Sequence, residues 1–256
     1  VDDDSLTDST SFNDPHSDPC FIRDWSASLP IELNAPDHDV NSVPKESPPP
    51  KTSAAPPSKW DFYCSRLFNG DNVMRFMKGR VETLCGDITA IDCNAIVNAA
   101  NSSLMGGGGV DGAIHRAAGP SLLKICHRVR REQYPEGLPP GEAVLTGPGN
   151  LPFQGIIHTV GPIWQGGNAG EAERLSSCYR QSLMLAEKNR FKTIAFPAIS
   201  TGVYAYPPEK AALVVYNTLR KELLPLEYPK KVYLVFYSHT GEKQFLQALE
   251  NKGVTE

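Results

Sequence analysis

Beyond about Trp60 the chain alternates two patterns of apolar and polar residues. Short apolar runs bounded by turn residues read as strands at Val81–Cys85, Ala95–Ala99, Ala143–Thr146, Ile156–Val160, Thr193–Ile199 and Val232–Tyr237. The stretches between them predict helices over Val110–Ala118, Ser121–Gln133, Ala172–Asn189, Pro208–Leu224 and Glu242–Asn251. Strands alternating with helices imply an α/β fold, a largely parallel sheet covered on both faces. In such folds ligands bind beyond the carboxyl ends of the strands. Two loops fall there: Asn101–Asp111 and Ser200–Tyr204. Pro197 lacks an N–H and should end regular pairing before the second loop.

The first 59 residues follow neither pattern. They hold 10 of the 22 prolines, with many Ser and Asp, a composition that rarely builds its own core. Glu46–Pro57 reads as a semi-rigid linker. Cys20–Trp25, with Leu29 and Ile31, carries enough apolar surface to dock on the domain, and both docking and free disorder stay open for it. The segment is rich in Asp and poor in Arg, unlike a transit peptide. The chain thus divides into an acidic Pro/Ser-rich extension, residues 1–59, and one domain, residues 60–256, of about 200 residues.

Charge sharpens that division. Residues 1–60 carry 11 acidic and 4 basic side chains, and residues 61–256 carry 18 and 21. The mildly cationic body suits a phosphorylated ligand and is not basic enough for duplex nucleic acid. No apolar run approaches the roughly 18 residues needed to span a membrane. The six cysteines form no C-x-x-C pair and no structural-zinc spacing, so no metal site is expected. Cys85, Cys93, Cys126 and Cys178 read as small core residues. This usage fits a reducing intracellular compartment, cytoplasmic or nuclear, or mitochondrial if a transit segment has been removed.

The densest chemistry lies in Asn98–Gly119. Gly106–Gly109 remove every Cβ from a loop, so its backbone can approach a ligand closely. A helix follows at once, and its N-terminal N–H groups favour an anion. Asn98, Asn101, Asp111 and His115 surround that anion site. A phosphate cradle beside titratable groups points to chemistry on a phosphorylated small molecule. Asp111 can be a carboxylate placed to suit the helix dipole or a general base for water. His115, four residues on, shares its helix face and can orient Asp111 or be a satisfied structural histidine. Asp87 can be a turn residue or a ligand contact. Asn98 and His158 read as structural, and Arg128, Arg130 and Arg131 as a solvated helix face. Gly107, Gly109 and Gly112 also satisfy G-x-G-x-x-G, but Glu132 lies in a helical stretch and not at a second strand end, so a dinucleotide oxidoreductase is disfavoured. No Gly-Lys-Ser/Thr follows the glycines, which excludes a P-loop.

Together, Gly86–Thr89, Ala95–Asn101, the glycine loop with Asp111 and His115, Ile157–Pro162 and Ala195–Tyr204 resemble the macrodomain family, over about residues 78–250. The chain looks most like the MacroD type. The resemblance implies a three-layer fold with a six-stranded mixed, mostly parallel sheet between helices. It implies a hydrolase that removes ADP-ribose from modified Asp and Glu side chains and deacetylates O-acetyl-ADP-ribose, with no cofactor. It implies that Asp87 bonds the adenine amino group, that Ile88 lies near the ring and that Phe236 packs on it. Gly107, Gly108, Gly109 and Val110 would offer backbone to the diphosphate or distal ribose, and Asn101 would hold that ribose. Ser200, Thr201, Gly202, Val203 and Tyr204 would form the opposing loop. Asp111 matches the family's catalytic aspartate, with Asn101 and His115 in support. Ala205 departs from the glycine more usual there. The expected partners are ADP-ribose, O-acetyl-ADP-ribose and mono-ADP-ribosylated proteins. Nucleic acid is expected only as an ADP-ribosylated substrate, a membrane is not expected, and the chain is expected to be a monomer. The same fold supports a non-catalytic ADP-ribose reader. Asp111 and Asn101 together favour the enzyme.

Overall fold

The computed structural model describes residues 74–254. The extension 1–59, the docking segment within it and the domain start near Trp60 lie outside the described residues.

The strands are β1 (Arg75–Phe76), β2 (Val81–Cys85), β3 (Ala95–Ala100), β4 (Ala143–Thr146), β5 (Gly155–Val160), β6 (Thr193–Pro197) and β7 (Lys231–Phe236). The helices are α1 (Gly109–Ala118), α2 (Pro120–Glu132), α3 (Glu171–Lys188), α4 (Pro208–Glu222) and α5 (His239–Glu250). One sheet runs β1-β2-β7-β6-β3-β5-β4. Strands β2, β7, β6, β3 and β5 are parallel, and β1 and β4 close the two edges antiparallel. The sheet has seven strands where six were expected. The extra one is the two-residue Arg75–Phe76, too short for any periodicity to reveal. Strand β6 stops at Pro197, two residues short of the apolar run, after a last pairing with Val235.

The central strands β3 and β5 are buried almost throughout, as a sheet covered on both faces requires. Helices α1 and α2 cover one face through a core of Ile96, Ile114, Leu122, Cys126, Val129 and Ile156. Helices α3, α4 and α5 cover the other through Leu175, Leu183, Phe196, Leu219, Leu234 and Phe245. Of the cysteines described, Cys126 and Cys178 are buried, whereas Cys85 and Cys93 are only partly so, and all four are free thiols. Among the described residues, no helix is long and apolar enough to cross a membrane.

Two junctions set the site. Gly119 ends α1 at φ 73, and Pro120 starts α2. Any Cβ at Gly119 would sit 2.5 Å from Asn150 Nδ2, so the chain turns there only without a side chain. At the other side of the sheet Ser238 caps α5, its Oγ accepting from Gly241 N at 3.3 Å.

Candidate functional site

The parallel strands end at Cys85, Ala100, Val160, Pro197 and Phe236, and the two loops singled out from sequence leave from β3 and β6. The first loop is braced from within. Asn101 Nδ2 donates to Gly106 O at 2.9 Å, and Asn101 Oδ1 accepts from the backbone N–H and hydroxyl of Ser103. Leu104, at φ 60, is fully buried beneath it. Gly107, Gly108 and Gly109 remain exposed.

Asp111 follows in the first turn of α1 with its side chain turned inward, 4 % exposed. Its Oδ1 accepts from Asn98 Nδ2 at 2.7 Å, and its Oδ2 lies 3.4 Å from Asn101 Nδ2. His115 Nε2 approaches Oδ1 at 3.5 Å but makes no hydrogen bond and is buried without a partner. Burial pushes the Asp111 carboxyl up, opposed by the Asn98 hydrogen bond and by the His115 charge. The three residues expected to do chemistry, Asp111, Asn101 and His115, are therefore together. The hydrogen bond through which His115 would orient Asp111 is not formed.

The glycines divide into two kinds. A Cβ at Gly107 would lie 3.2 Å from both Asn101 Nδ2 and Asp111 Oδ2, and one at Gly112 would lie 2.3 Å from Gly107 O. Gly108 and Gly109 have nothing within 4 Å. The first pair is bare because the protein packs there. The second pair opens onto the loop's outer side, where backbone N–H groups at a helix start are free to meet an anion.

The second loop, Ser200–Tyr204, is a backbone construction. Ala205 N donates to Gly202 O, Tyr206 N to Ser200 O and Trp164 N to Tyr204 O, all at 2.9–3.0 Å. Ser200 stands at φ 66 and Ala205 at φ 52. Glycine adopts that region without strain, so alanine departs from the family pattern at a position where the backbone itself asks for glycine. Thr201 bonds back to Ala198 O at 3.0 Å, Val203 is 97 % exposed, and Ser200 Oγ is buried without a partner.

Asp87 and Ile88 lie where β2 ends. Asp87 Oδ1 accepts from Thr89 N at 2.9 Å and Thr89 Oγ1 at 2.8 Å, capping a short 3₁₀ turn. That is its turn role, and it leaves Oδ2 without either bond. Ile88 is buried in the α1/α2-side core. Gly86 N donates to Phe236 O at 2.8 Å, which brings Asp87 beside Phe236. Phe236 packs on Phe245 with ring centroids 5.2 Å apart and walls a cavity of about 210 Å³ with Ala198, Thr201, Ser238 and Gly241. A second cavity of about 200 Å³ runs between Ser102, Pro140, Pro162, Arg174 and Tyr204. Asp111 lines neither cavity; it sits under the glycine loop, against Asn98, Asn101 and Gly107.

Sequence reasoning passed over three features. Asn98 and His158 face each other from β3 and β5, and both touch the site described above. Glu171, at the start of α3, accepts from Gln165, Gly167 and Ala169 N–H at 2.7–3.0 Å and so pins the 165–169 loop. Burial pushes its carboxyl up, but these donors and its own N–H outweigh burial and hold it at about 2. The three glycines around it were the available signal. Lastly, His115, Cys126 and His158 bring one ligand atom each within 4.8 Å of one another, a grouping invisible in sequence spacing. Both His158 nitrogens are already hydrogen-bonded, to Asn98 and Thr146, and burial pushes the Cys126 thiol up to about 12. The trio thus lacks a free nitrogen on His158 and a ready thiolate on Cys126.

The Macro domain model matches residues 97–215. An O-acetyl-ADP-ribose deacetylase of Citrobacter rodentium is 50% identical over 177 residues, 69% of this chain and 99% of that protein. Among solved structures, the Oceanobacillus iheyensis macrodomain with ADP is 42% identical with a TM-score of 0.67, covering 71% of this chain and 96% of its own. The Trypanosoma brucei macrodomain in complex with ADP-ribose is 35% identical with a TM-score of 0.60, covering 67% of this chain and 69% of its own. With its mostly parallel sheet, its two rim loops and half of the aligned residues shared across nearly the whole length of a relative, the chain belongs to the Macro domain family.

Proposed function

We propose that the chain is a hydrolase that deacetylates O-acetyl-ADP-ribose and releases ADP-ribose from mono-ADP-ribosylated Asp and Glu side chains. One observation carries the reading: a buried carboxylate, Asp111, held by Asn98 and Asn101 directly beneath the glycine run 106–109. A reader of ADP-ribose needs the loop but has no use for that carboxylate. The deacetylase relatives support the acetyl substrate, and the protein substrate follows from its shared chemistry, an ester on the distal ribose.

In this reading the diphosphate lies against Gly108, Gly109 and Val110 at the start of α1, where N–H groups and the helix dipole favour anions. Ser200–Tyr204 closes over it from the other rim. The adenine packs on Phe236, with Asp87 Oδ2 receiving its amino group and Ile88 near the ring. The distal ribose then reaches Asn101 and Tyr204, with its ester near Asp111. Asp111 takes a proton from water as the oxygen attacks the ester carbonyl or, in the protein substrate alone, the ribose carbon C1″. The acid and the alcohol part, and the proton passes to the leaving oxygen. The anchoring bond from Asn98 opposes the rise that burial imposes on Asp111, favouring the ionised form a base requires.

The test is to incubate the chain with O-acetyl-ADP-ribose and, separately, with an Asp/Glu-linked mono-ADP-ribosylated protein, and to measure released ADP-ribose. Release from both is expected. Tight ADP-ribose binding with no release from either would make the chain a reader. Running the protein reaction in ¹⁸O-water locates the bond cleaved: label in the released Asp or Glu carboxylate marks carbonyl attack, and label on the ribose marks attack at C1″.

A further inference from the structure

We propose that Asn98, His158 and Thr146 are positioning residues for Asp111, a buried hydrogen-bonded chain that runs from the sheet edge to the carboxylate. The proposal rests on reading Asp111 as the base. Asn98 and His158 are register partners on the adjacent strands β3 and β5, and Thr146 ends β4 beyond them. Asn98 and His158 are fully buried and Thr146 nearly so. Asn98 Nδ2 lies 2.7 Å from Asp111 Oδ1 and 3.1 Å from His158 Nδ1. His158 Nε2 lies 2.9 Å from Thr146 Oγ1.

The protons in this chain have one consistent placement. An amide nitrogen carries two hydrogens and no usable lone pair. Asn98 donates one to Asp111 and one to His158, so Nδ1 of that ring is the lone-pair nitrogen. The ring proton then sits on Nε2 and goes to Thr146 Oγ1. Thr146 passes its own hydrogen to Gly147 O, 3.1 Å away, or to Ile156 O. Flipping the Asn98 amide would set Oδ1 against both Asp111 Oδ1 and the Nδ1 lone pair, three acceptors facing one another. The acceptor-only Asp111 carboxylate sets which way Asn98 points, the His158 lone pair takes the second hydrogen of that amide and holds it there, and Asn98 decides which Asp111 oxygen is held.

The arrangement commits both Asn98 hydrogens, one to Asp111 and one to His158, and leaves Asn98 Oδ1 buried without a protein partner. A neutral imidazole suits the middle position because it accepts on one side and donates on the other. Burial, with a smaller push from the His115 charge, holds the His158 pKa at about 3, so the ring stays neutral through the working range. The titratable groups around Asp111 are His115 on α1, Cys126 on α2 and His158 on β5.

The experiment compares the full chain with His158→Leu, His158→Gln and Thr146→Val. It reads kcat against pH on O-acetyl-ADP-ribose, the Kd for ADP-ribose by calorimetry, and the melting temperature. His158→Leu frees the amide, so kcat should fall at least about tenfold, as small misplacements of a catalytic group do. Its acid limb should also move to higher pH, because Asp111 loses a fixed donor. Kd should stay within about threefold, since Gly108 and Gly109 are untouched. His158→Gln offers a carbonyl oxygen to Asn98 and an amino group to Thr146, and should restore most of kcat and the acid limb. If His158→Leu fails to fold, Thr146→Val carries the test: it loosens the ring and should move kcat and the acid limb the same way by less. Variants that melt lower but keep the wild-type kcat and acid limb would overturn the proposal and leave His158 a core residue. Wild-type chain that binds ADP-ribose and releases nothing would instead overturn the hydrolase reading, and the positioning role with it.

Discussion

The Asn101–Asp111 loop is held by side chains, and the Ser200–Tyr204 loop by its own backbone. Both rim the same sheet edge. In the first, Asn101, Ser103 and Asp111 exchange side-chain hydrogen bonds with the loop and with β3. In the second, the cross-links are N–H to carbonyl, apart from the Thr201 hydroxyl, and Val203 stands clear of everything. A loop locked by side chains fixes a reacting group to within a fraction of an ångström, which chemistry needs. A loop locked by backbone keeps a shape while its outward side chains vary, which suits a wall around a ligand. The difference separates turnover from affinity, and substitutions can break it or sharpen it.

Gly107→Val should have the largest effect on the first loop. Its Cβ meets Asn101 Nδ2 and Asp111 Oδ2 at 3.2 Å, and pushing them apart should cost about 10²-fold in kcat. Steady-state assays would show this, and an unchanged kcat would mean the carboxylate tolerates displacement. Gly112→Ala comes next. Its Cβ would lie 2.3 Å from Gly107 O, so urea unfolding should show a loss of about 1–3 kcal/mol. Gly108→Ala, which meets nothing within 4 Å, should change stability little.

A pH dependence bears on the buried chain behind the first loop. The His158 pKa is depressed in the folded state to about 3 from 6.5. The unfolded chain therefore binds the extra proton between these values, and stability is full above 6.5 and falls as pH drops toward 3. Between pH 7 and pH 5 this group should remove about 2 kcal/mol of unfolding free energy. Urea titrations of the wild type and His158→Gln at both pH values isolate it: the wild type should lose that much more than the variant. Val203→Ser should do least. At a fully exposed tip it should change stability by less than about 0.5 kcal/mol and leave kcat unaltered. A fall in kcat matching that of Gly107→Val would erase the distinction between the loops.

Most of the fold was legible because five parallel strands and their helices have strong, long patterns. Arg75–Phe76 was not, since two residues have no period. The antiparallel direction of β4 was not, because a strand's direction leaves no mark on its apolar run. Asp111, Asn101 and the glycine loop were legible as one contiguous segment. Asn98 and His158 were read as structural because their meeting depends on the register between β3 and β5, which spacing along the chain does not encode. The same holds for the approach of Cys126 to the two histidines. The positive φ at Ala205 gives the backbone reason for the glycine more usual there, which sequence alone could only note.

The central claim is that the side-chain-locked loop carries the chemistry while binding is shared by both rims. Asp111→Ala tests it most directly, with kcat on O-acetyl-ADP-ribose and the calorimetric Kd for ADP-ribose measured on the same folded preparation. The account predicts a kcat lower by about 10²–10⁴-fold and a Kd within a few-fold of wild type. A kcat within a few-fold of wild type would contradict it, leaving Asp111 a helix-start carboxylate and the water activated by the substrate itself.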